Sequence, residues 1–470
     1  VGKLKATAYL NARSYLTSAR ELIYIDQFLP SDQQKSNRET LFFTLLHLPE
    51  NTLQKKAEQS ITSEIRGWLS LAAMTKRFEN NPMKQLNALT TWRQAWPSHP
   101  ATLTPPTSLQ ILSRIVEQRP TKIALILPLT GELGTIGRAI RDGYISAHYE
   151  FAPESNLKIY DSASVEIQTS IERAVRENAQ VIIGPLNRTK VTQAAKLKLK
   201  IPVIALNRTL NNEMNPNLYQ FGLAPEDESA QVATKVLGEG RMRGLVIAPK
   251  SDWGSRNVDA FRETFLSKGG TIVDLARFTN QRDYSDLIKS LLNVDSSENR
   301  AGELRRITGA RFEFTPRRRQ DIDFVFLLAN ATQAKGLNPT LSFFYADDIP
   351  VYATSHVHNR TDSKIDAFDM AGITFCEMPW KLSSTDNIRK IIHSTWGSEA
   401  KKLSAFYALG VDAHRVYSRL PQMKEFPATK IHGGTGVLNL NKNNIINRTL
   451  TWVHFENGKV TVIPDGFDIQ

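Results

Sequence analysis

The stretch that decides the fold runs from Thr121 to Tyr144 and reads TKIALILPLTGELGTIGRAIRDGY. An apolar run ends at a proline, a glycine-containing turn follows, and an amphipathic helix pattern then begins. A short apolar run followed by such a helix is typical of a parallel sheet covered by helices. Gly131, Gly134 and Gly137 have the spacing G-x-x-G-x-x-G, which is neither the dinucleotide fingerprint nor the phosphate-binding loop. We therefore interpret these glycines as residues that let the backbone turn and let the helix pack close to the sheet.

The alternation of strand and helix patterns continues as far as Trp380, in two series. The first series contains KIALILPL, NLKIYDS, AQVIIGPL and IPVIALN, and the second contains RGLVIAPK, GTIVDLARF, IDFVFLLAN, IPVYATS and AGITFCEMPW. Two series exceed what one open sheet needs, so the sequence predicts an α/β region with two lobes over residues 120–470. We assign about 121–223 plus 351–378 to one lobe, and about 224–350 plus 379–470 to the other.

Residues 1–119 have a helical pattern almost throughout. Apolar residues three and four apart predict one amphipathic helix over residues 3–29, and they are Leu4, Ala8, Ala12, Tyr15, Leu16, Ala19 and Ile23. The segment from Trp68 to Pro97 resembles a tetratricopeptide repeat, with Leu71 and Ala72 at the motif's spacing. The sequence therefore predicts an α-helical, solenoid-like N-terminal domain, and a plain helical bundle is the alternative.

The composition is that of a folded protein with a sizeable core: 470 residues, of which 41% are hydrophobic and 23% charged. No apolar run approaches the roughly 18 residues that a membrane span requires. The chain begins with Val1, and we expect that it is N-terminally truncated. The single cysteine, Cys376, excludes internal disulfides, and its apolar surroundings predict a buried thiol.

The formal net charge of +12 is spread along the chain rather than collected in a basic arm, so we do not predict a nucleic-acid partner. The densest basic run is Arg317, Arg318 and Arg319, directly before a predicted strand. These arginines are candidates for binding an acidic partner. The alternative is a solvated flank of the strand.

Polar residues follow several predicted strands and are candidates for a ligand site in the cleft between the lobes: Thr130, Gly131, Ser162, Asn187, Arg208, Trp253 and Ser355. In open α/β sheets, ligands bind beyond the carboxyl ends of the strands. This set suits an acidic small ligand or a peptide carboxylate, although turns are commonly polar without binding anything. His356 and His358 alternate as two metal ligands might, but no third ligand follows at motif spacing. No motif of a hydrolase or metalloprotease is present, and we expect no enzymatic activity, cofactor or metal.

Several segments together resemble a known fold. ALILPLTGELGTIGRAIRDGYISA, VIIGPLNRTKV, FGLAPEDES and YALGVDA are similar to the type I periplasmic binding-protein (Venus flytrap) fold of branched-chain amino-acid receptors. PRRRQDIDFVFLLANATQA, GITFCEMPW and GTGVLNLNKNNIINRTLTWVHFENGKV further resemble the family of outer-membrane lipoproteins that activate class A penicillin-binding proteins. A helical, tetratricopeptide-like domain before the flytrap domain is also that family's arrangement.

This resemblance implies a non-enzymatic regulator of peptidoglycan synthesis in the periplasm. Its partner would be a class A penicillin-binding protein, a bifunctional glycosyltransferase–transpeptidase, with peptidoglycan as a further contact. Its lipid anchor in the outer membrane would be attached to a cysteine that this sequence does not contain. The alternative is a periplasmic receptor for a small amino-acid or peptide-like ligand in the interlobe cleft.

Overall fold

The computed structural model describes residues 2–211, 213–358, 368–383, 386–427 and 429–463. They form two compact units. The first unit contains the described residues up to 222 and those of 383–447, and the second contains those of 223–382 and 448–463. A five-stranded sheet lies in the first unit and a seven-stranded sheet in the second, which confirms the prediction of two α/β lobes.

The N-terminal part of the first unit is entirely helical. Its helices are α1 (Gly2–Asn11), α2 (Tyr15–Asp26), α3 (Ser31–Leu45), α4 (Glu50–Gln59), α5 (Ser63–Arg77), α6 (Pro82–Ala95), α7 (Pro100–Leu103), α8 (Thr107–Gln110) and α9 (Leu112–Glu117). Helices adjacent in sequence pack on each other, as α1 does on α2, α4 on α5 and α5 on α6. Trp68, Leu71 and Ala72 of α5 are buried, as the repeat resemblance predicts. The His99 ring lies edge-on to Trp68, with the ring centroids 5.2 Å apart.

The prediction of one helix over residues 3–29 is wrong. The backbone reverses between α1 and α2 because Arg13 adopts a left-handed conformation, with φ of 58°. The amide of Ser14 donates to the Tyr9 carbonyl, as at many helix ends where a left-handed residue stops the helix. The buried Ser18 hydroxyl then donates to the Ala6 carbonyl across the two helices. The apolar spacing therefore belongs to two helices that pack together, and Leu4 remains 76% exposed.

The sheet of the first unit is parallel. Its elements are β1 (Lys122–Leu127), α10 (Gly134–Phe151), β2 (Asn156–Asp161), α11 (Ile167–Arg176), β3 (Val181–Ile183), α12 (Arg188–Ala195), β4 (Val203–Ala205) and β5 (Leu218–Gln220). The strand order is β2-β1-β3-β4-β5, and β1 is buried from Ile123 to Leu127. A Cβ atom at Gly137 would lie 1.7 Å from the Pro128 carbonyl oxygen, and Gly131 has φ of 70°. Both observations confirm that these glycines allow a sharp turn and a close helix approach.

The remaining elements follow in chain order. They are α13 (Pro225–Gly238), β6 (Arg243–Pro249), α14 (Asp252–Ser267), β7 (Thr271–Phe278), α15 (Tyr284–Leu291), α16 (Val294–Thr308), β8 (Phe324–Leu327), α17 (Ala331–Phe343), β9 (Val351–Ala353), β10 (Ile373–Glu377), α18 (Pro379–Leu382), α19 (Asn387–Lys402), α20 (Ser404–Glu425), β11 (Ile431–His432), β12 (Val437–Leu440), β13 (Ile446–Thr449), β14 (Thr451–Glu456) and β15 (Lys459–Val462). The seven-stranded sheet has the order β15-β14-β10-β9-β8-β6-β7, with β14 and β15 antiparallel at one side. The short strands β11, β12 and β13 form a third sheet.

The predicted division of the lobes needs a correction. The sequence analysis places residues 351–378 with 121–223, but β9 pairs with β8 and β10 pairs with β9, so both strands belong to the second unit. Residues 379–470 were assigned to the second lobe, but α19, α20, β11 and β12 lie in the first unit, where α20 packs on α10. Apolar patterns identify a strand or a helix, but they carry no information on which of two sheets it joins.

Helices α10 and α20 touch backbone to backbone at two glycines. A Cβ atom at Gly410 would lie 2.0 Å from the carbonyl oxygen of Ile140, and one at Gly143 would lie 2.2 Å from that of Tyr407. Real Cβ atoms do not approach backbone oxygens so closely. Glycine is therefore required at both positions to bring these helices together.

A buried carboxylate fixes the loop that follows α20. The Asp412 side chain is fully buried and accepts hydrogen bonds from the amides of Gly434 (2.9 Å) and Thr435 (2.7 Å) and from the Thr435 hydroxyl (2.6 Å). Arg415 donates to Asp412 at 2.9 Å and to Asp386 at 2.9 Å. The network joins α20, the start of α19 and the turn before β12.

Arg419 of α20 links the α/β part of the first unit to its helical part. Its buried guanidinium donates to the carbonyl of Glu79, in the turn between α5 and α6, at 2.9 and 2.6 Å, and to the Gln85 amide oxygen at 2.7 Å. Burial lowers the pKa of Arg419 to about 10. The Glu79 carboxylate itself lies 2.8 Å from Nδ1 of His432. The helical region and the five-stranded sheet are therefore parts of one compact unit.

His414 lies on α20 in the contact with α10. Its ring is edge-on to Tyr144 and Tyr417, with centroids 5.4 and 5.0 Å away, and His148 lies 6.2 Å away. Its two ring nitrogens have no hydrogen-bond partner among the described residues. Burial, and then the nearby charges of His148, Arg119 and Arg415, hold the pKa of His414 well below its usual value.

We expect the first unit to lose stability as the pH falls below 6.5, the ordinary pKa of histidine. His414 stays neutral in the folded chain while the unfolded chain takes up a proton, so its contribution is present above that pH and is lost progressively below it. Such a group changes the free energy of unfolding by about 1.4 kcal/mol per pH unit. Denaturant unfolding of the wild-type chain and of His414→Phe between pH 7 and 5 measures the difference. The variant should show the shallower dependence of the free energy of unfolding on pH. Equal slopes for wild type and His414→Phe would contradict the prediction.

Candidate functional site

The predicted ligand residues of the first unit stand along one edge of its sheet. Thr130 and Gly131 follow β1, Ser162 follows β2, Asn187 follows β3 and Arg208 follows β4. These four strands are neighbours in the order β2-β1-β3-β4, and parallel strands end at the same edge. The structure therefore brings the five residues to the carboxyl edge of one sheet, as the sequence predicts.

Asp161, the last residue of β2, organises this edge, although it is not among the candidate residues predicted from the sequence. Its carboxylate accepts hydrogen bonds from the amides of Leu129 and Ala163, each at 2.9 Å, and from the Thr130 hydroxyl at 2.8 Å. Burial acts to raise the pKa of Asp161, but these hydrogen bonds outweigh it and hold the pKa below its usual value. The Thr130 hydroxyl therefore stabilises the turn after β1. A signal was available, because an aspartate at a strand end commonly accepts backbone amides in the next turn.

Ser162 and Asn187 also have partners inside the first unit. Ser162 is buried, and its carbonyl accepts a hydrogen bond from Nζ of Lys190. The Asn187 side chain caps α12 by accepting from the Lys190 amide at 3.2 Å. Gly131 is different, because the space where its side chain would stand holds no other atom within 4 Å. The edge is accordingly a well-ordered set of turns with an open position at Gly131.

In the second unit, Trp253 and Ser355 both lie next to His356. Trp253 is the second residue of α14, after β6, and the centre of its ring lies 4.9 Å from that of His356, which follows Ser355 after β9. The Ser355 amide donates to the buried Glu228 carboxylate at 3.0 Å, and Nδ1 of His356 lies 3.9 Å from the same carboxylate. Glu228 was not predicted as a residue of this site. It lies in the first turn of α13, and the sequence contains no indication that this turn contacts the residues that follow β9.

His356 and His358 face different carboxylates. His356 lies beside Glu228, whereas Nδ1 of His358 is 2.6 Å from Oε2 of the fully buried Glu377. Lys381 also contacts Glu377, at 3.3 Å. Within the described ranges, no three histidine, cysteine, aspartate or glutamate side chains come together as metal ligands.

Cys376, which directly precedes Glu377, is not accessible to solvent. It is fully buried in β10. Burial raises the pKa of its thiol well above the usual value, so the thiolate that a nucleophile needs is disfavoured. The prediction of a buried thiol is confirmed.

The arginine run before β8 is divided between the interior and the surface. Arg318 donates to both carboxylate oxygens of Asp348 at 2.6 Å, and Arg319 forms an ion pair with Asp321 at 2.8 Å. Both side chains are about nine-tenths buried, whereas Arg317 is exposed. Arg318 and Arg319 are thus engaged within the second unit, whereas the Arg317 side chain is exposed to solvent.

Comparisons with known proteins agree with this architecture. The sequence model of the LppC lipoprotein family matches residues 1–458. Two curated relatives carry the name penicillin-binding protein activator LpoA. The protein from Photobacterium profundum is 27% identical over 94% of this chain and 73% of its own length, and that from Aliivibrio fischeri is 28% identical over 97% and 76%.

Solved structures show the same fold. Full-length LpoA from Haemophilus influenzae has a TM-score of 0.61 at 21% identity, covering 97% of this chain and 80% of its own. The C-domain of that protein, described as a regulator of PBP1A, has a TM-score of 0.59 at 21% identity and covers 73% of this chain and 100% of its own. A structure described as a branched-chain amino acid ABC transporter from Chromobacterium violaceum has a TM-score of 0.52 at 24% identity, covering 71% and 99%. The fold is therefore a solenoid-like helical domain followed by a two-lobed type I periplasmic binding-protein domain.

None of the helices in the described ranges combines the length and the apolar character that a bilayer crossing requires.

Proposed function

The chain belongs to the LppC lipoprotein family, and from this premise we propose that it binds a class A penicillin-binding protein and stimulates its transpeptidase activity. One observation carries the proposal. The relatives named as penicillin-binding protein activators align with 94% and 97% of this chain, across both the helical and the α/β parts. The likeness is therefore not confined to the binding-protein fold, which many unrelated receptors share.

We propose that the chain acts in the periplasm as a lipoprotein anchored to the outer membrane, and that it performs no chemistry itself. Its partner would be a bifunctional glycosyltransferase–transpeptidase, reached through the peptidoglycan layer, which it would also contact. A partner that binds one conformation of an enzyme more tightly than another shifts the enzyme toward that conformation. Stimulation would follow if the favoured conformation has the more accessible transpeptidase site.

A crosslinking assay with purified components tests this proposal. A purified class A penicillin-binding protein is incubated with its lipid-linked precursor, with and without the full chain, and crosslinked muropeptides are measured by chromatography. We expect more crosslinks with the chain present and none when a β-lactam blocks the transpeptidase. A pull-down without co-purification, together with unchanged crosslinking, would contradict the proposal. Release of fragments from peptidoglycan by the chain alone would indicate a hydrolase instead.

A small-ligand receptor is the second candidate function. The observation in its favour is the pairing of Trp253 and His356 beside Glu228, at the carboxyl ends of β6 and β9, where aromatic and charged groups can hold an amino-acid headgroup. Titration calorimetry against amino acids and cell-wall peptides tests it. Micromolar binding that Trp253→Ala abolishes would support the receptor function. If no ligand gave a measurable heat of binding, the receptor function would be rejected.

A further inference from the structure

One surface of the second unit combines exposed arginines with exposed apolar side chains. It consists of α16 and the irregular segment that follows, residues 309–317, and we call it the basic–apolar surface. Its exposed members are Arg300, Arg305, Arg306, Arg311, Arg317, Leu304, Ile307 and Phe312.

The charges of this surface are largely uncompensated. Residues 300–317 contain five arginines against Glu303 and Glu313, a formal balance of 5 − 2 = +3. Within the described part of the chain, none of the five guanidinium groups lies within ion-pair distance of a carboxylate. The adjacent Arg318 and Arg319, in contrast, are both paired. The surface thus presents positive charge that the fold itself does not use.

The apolar side chains surround a cavity of about 500 Å³ beneath this charge. Its apolar lining consists of Ala301, Leu304, Phe312 and Phe314, and its polar lining consists of Ser297, Arg300, Glu313, Thr315 and Arg317. The Arg305 guanidinium lies 5.2 Å from the centre of the Phe312 ring, which orders the segment over α16. Leu304 is 52% exposed and Ile307 is 72% exposed, and contiguous exposed apolar side chains mark interaction sites.

We propose that the basic–apolar surface is where the partner synthase docks, through an acidic segment of that protein that inserts one apolar side chain into the cavity. This inference rests on the proposed function. Guanidinium groups match carboxylates in geometry as well as charge, which favours an acidic polypeptide. The cavity adds a second requirement that a flat anionic membrane or a polyanion does not satisfy, since it takes a projecting side chain. Phe312, Leu304 and Ile307 would be covered in the complex.

Charge-reversal variants test the docking site. The variant Arg306→Glu/Arg311→Glu changes two exposed residues of the surface, and Leu304→Asp changes its apolar part. The matched control, Arg176→Glu/Lys401→Glu, makes the same change in charge at exposed positions of α11 and α19. Affinity for an immobilised, purified class A penicillin-binding protein is measured by surface plasmon resonance at 50 and 300 mM NaCl. Circular dichroism melting verifies that each variant is folded.

We expect at least a tenfold loss of affinity for both surface variants and less than a threefold change for the control. Wild-type affinity should fall with salt, and more steeply than that of the double variant. Wild-type affinity in folded surface variants would overturn the docking site while leaving the proposed function intact. No binding by the wild-type chain would overturn both. Binding to vesicles of phosphatidylglycerol and phosphatidylethanolamine that the variants lose, with synthase affinity unchanged, would assign the surface to a membrane and overturn the inference.

Discussion

Replacement of Gly410 by alanine is expected to lower the free energy of unfolding of the first unit by about 3 kcal/mol or more. The added methyl group would lie 2.0 Å from the Ile140 carbonyl oxygen, and the atom that it meets belongs to the backbone of α10. A flexible side chain could rotate away, but a helix backbone moves only as a whole. Helices α10 and α20 must therefore separate, and the packing between them is lost along their length.

The measurement is denaturant unfolding combined with hydrogen exchange on peptides from α10. The control is Gly238→Ala in α13, where no atom lies within 4 Å of the added methyl group, and its free energy of unfolding should not fall, because alanine favours a helix more than glycine does. Gly143→Ala should behave like Gly410→Ala, because it meets the Tyr407 carbonyl at 2.2 Å. A Gly410→Ala chain with wild-type stability would show that the two helices are not in backbone contact.

Replacement of Asp412 by alanine is expected to destabilise the first unit by about 4 kcal/mol, within the range for breaking a buried ion pair. The change removes the acceptor for two backbone amides and one hydroxyl, and it leaves Arg415 buried with Asp386 as its remaining carboxylate. Buried donors that lose their acceptor retain the full penalty of desolvation. The turn at Gly434 and Thr435 should become the first region to exchange its amide hydrogens.

Thermal and denaturant unfolding of Asp412→Ala measure this effect against Asp347→Ala, which changes an exposed aspartate and should alter the free energy of unfolding by less than about 0.5 kcal/mol. Asp412→Asn is informative as well, since it keeps one acceptor oxygen and should lose less than the alanine variant. If both Asp412 variants unfolded like wild type, the network would not carry the stability assigned to it.

Much of the fold was predictable because buried strands and amphipathic helices leave different periods in the sequence. The run from Lys122 to Leu127 and the glycines after it predicted a strand, a tight turn and a closely packed helix, and all three are present. What could not be predicted was the return of α19 and α20 to the first unit. That return depends on contacts such as Gly410 with α10, and a local pattern does not specify a distant neighbour.

For the candidate site, the sequence predicted which residues lie at the edge of the sheet but not which side chains they contact. The carboxyl ends of parallel strands meet at one edge, so the positions of Thr130, Ser162 and Asn187 along the sheet followed from the strand pattern. Their partners Asp161 and Lys190 did not follow from it, because a strand pattern does not specify side-chain contacts. The same holds for Glu228, which accepts from the Ser355 amide in the second unit. For the arginine run, the sequence showed the charge, but only the fold separates the paired Arg318 from the exposed Arg317.

Where the structure describes it, the first unit is assembled from two stretches of chain, one ending at residue 222 and one beginning at residue 383, with the main part of the second unit between them. A ribosome makes the chain from its N-terminus, so α10 emerges long before the helix that covers its glycine face. Until Ser404–Glu425 has been made, that face and the Glu79 carbonyl have no native partner, and a chain stopped at residue 382 would expose both. Completion of the first unit must therefore wait for the C-terminal part of the polypeptide. A premature stop before Ser404 would leave α10, in the N-terminal part of the chain, without the helix that packs on it.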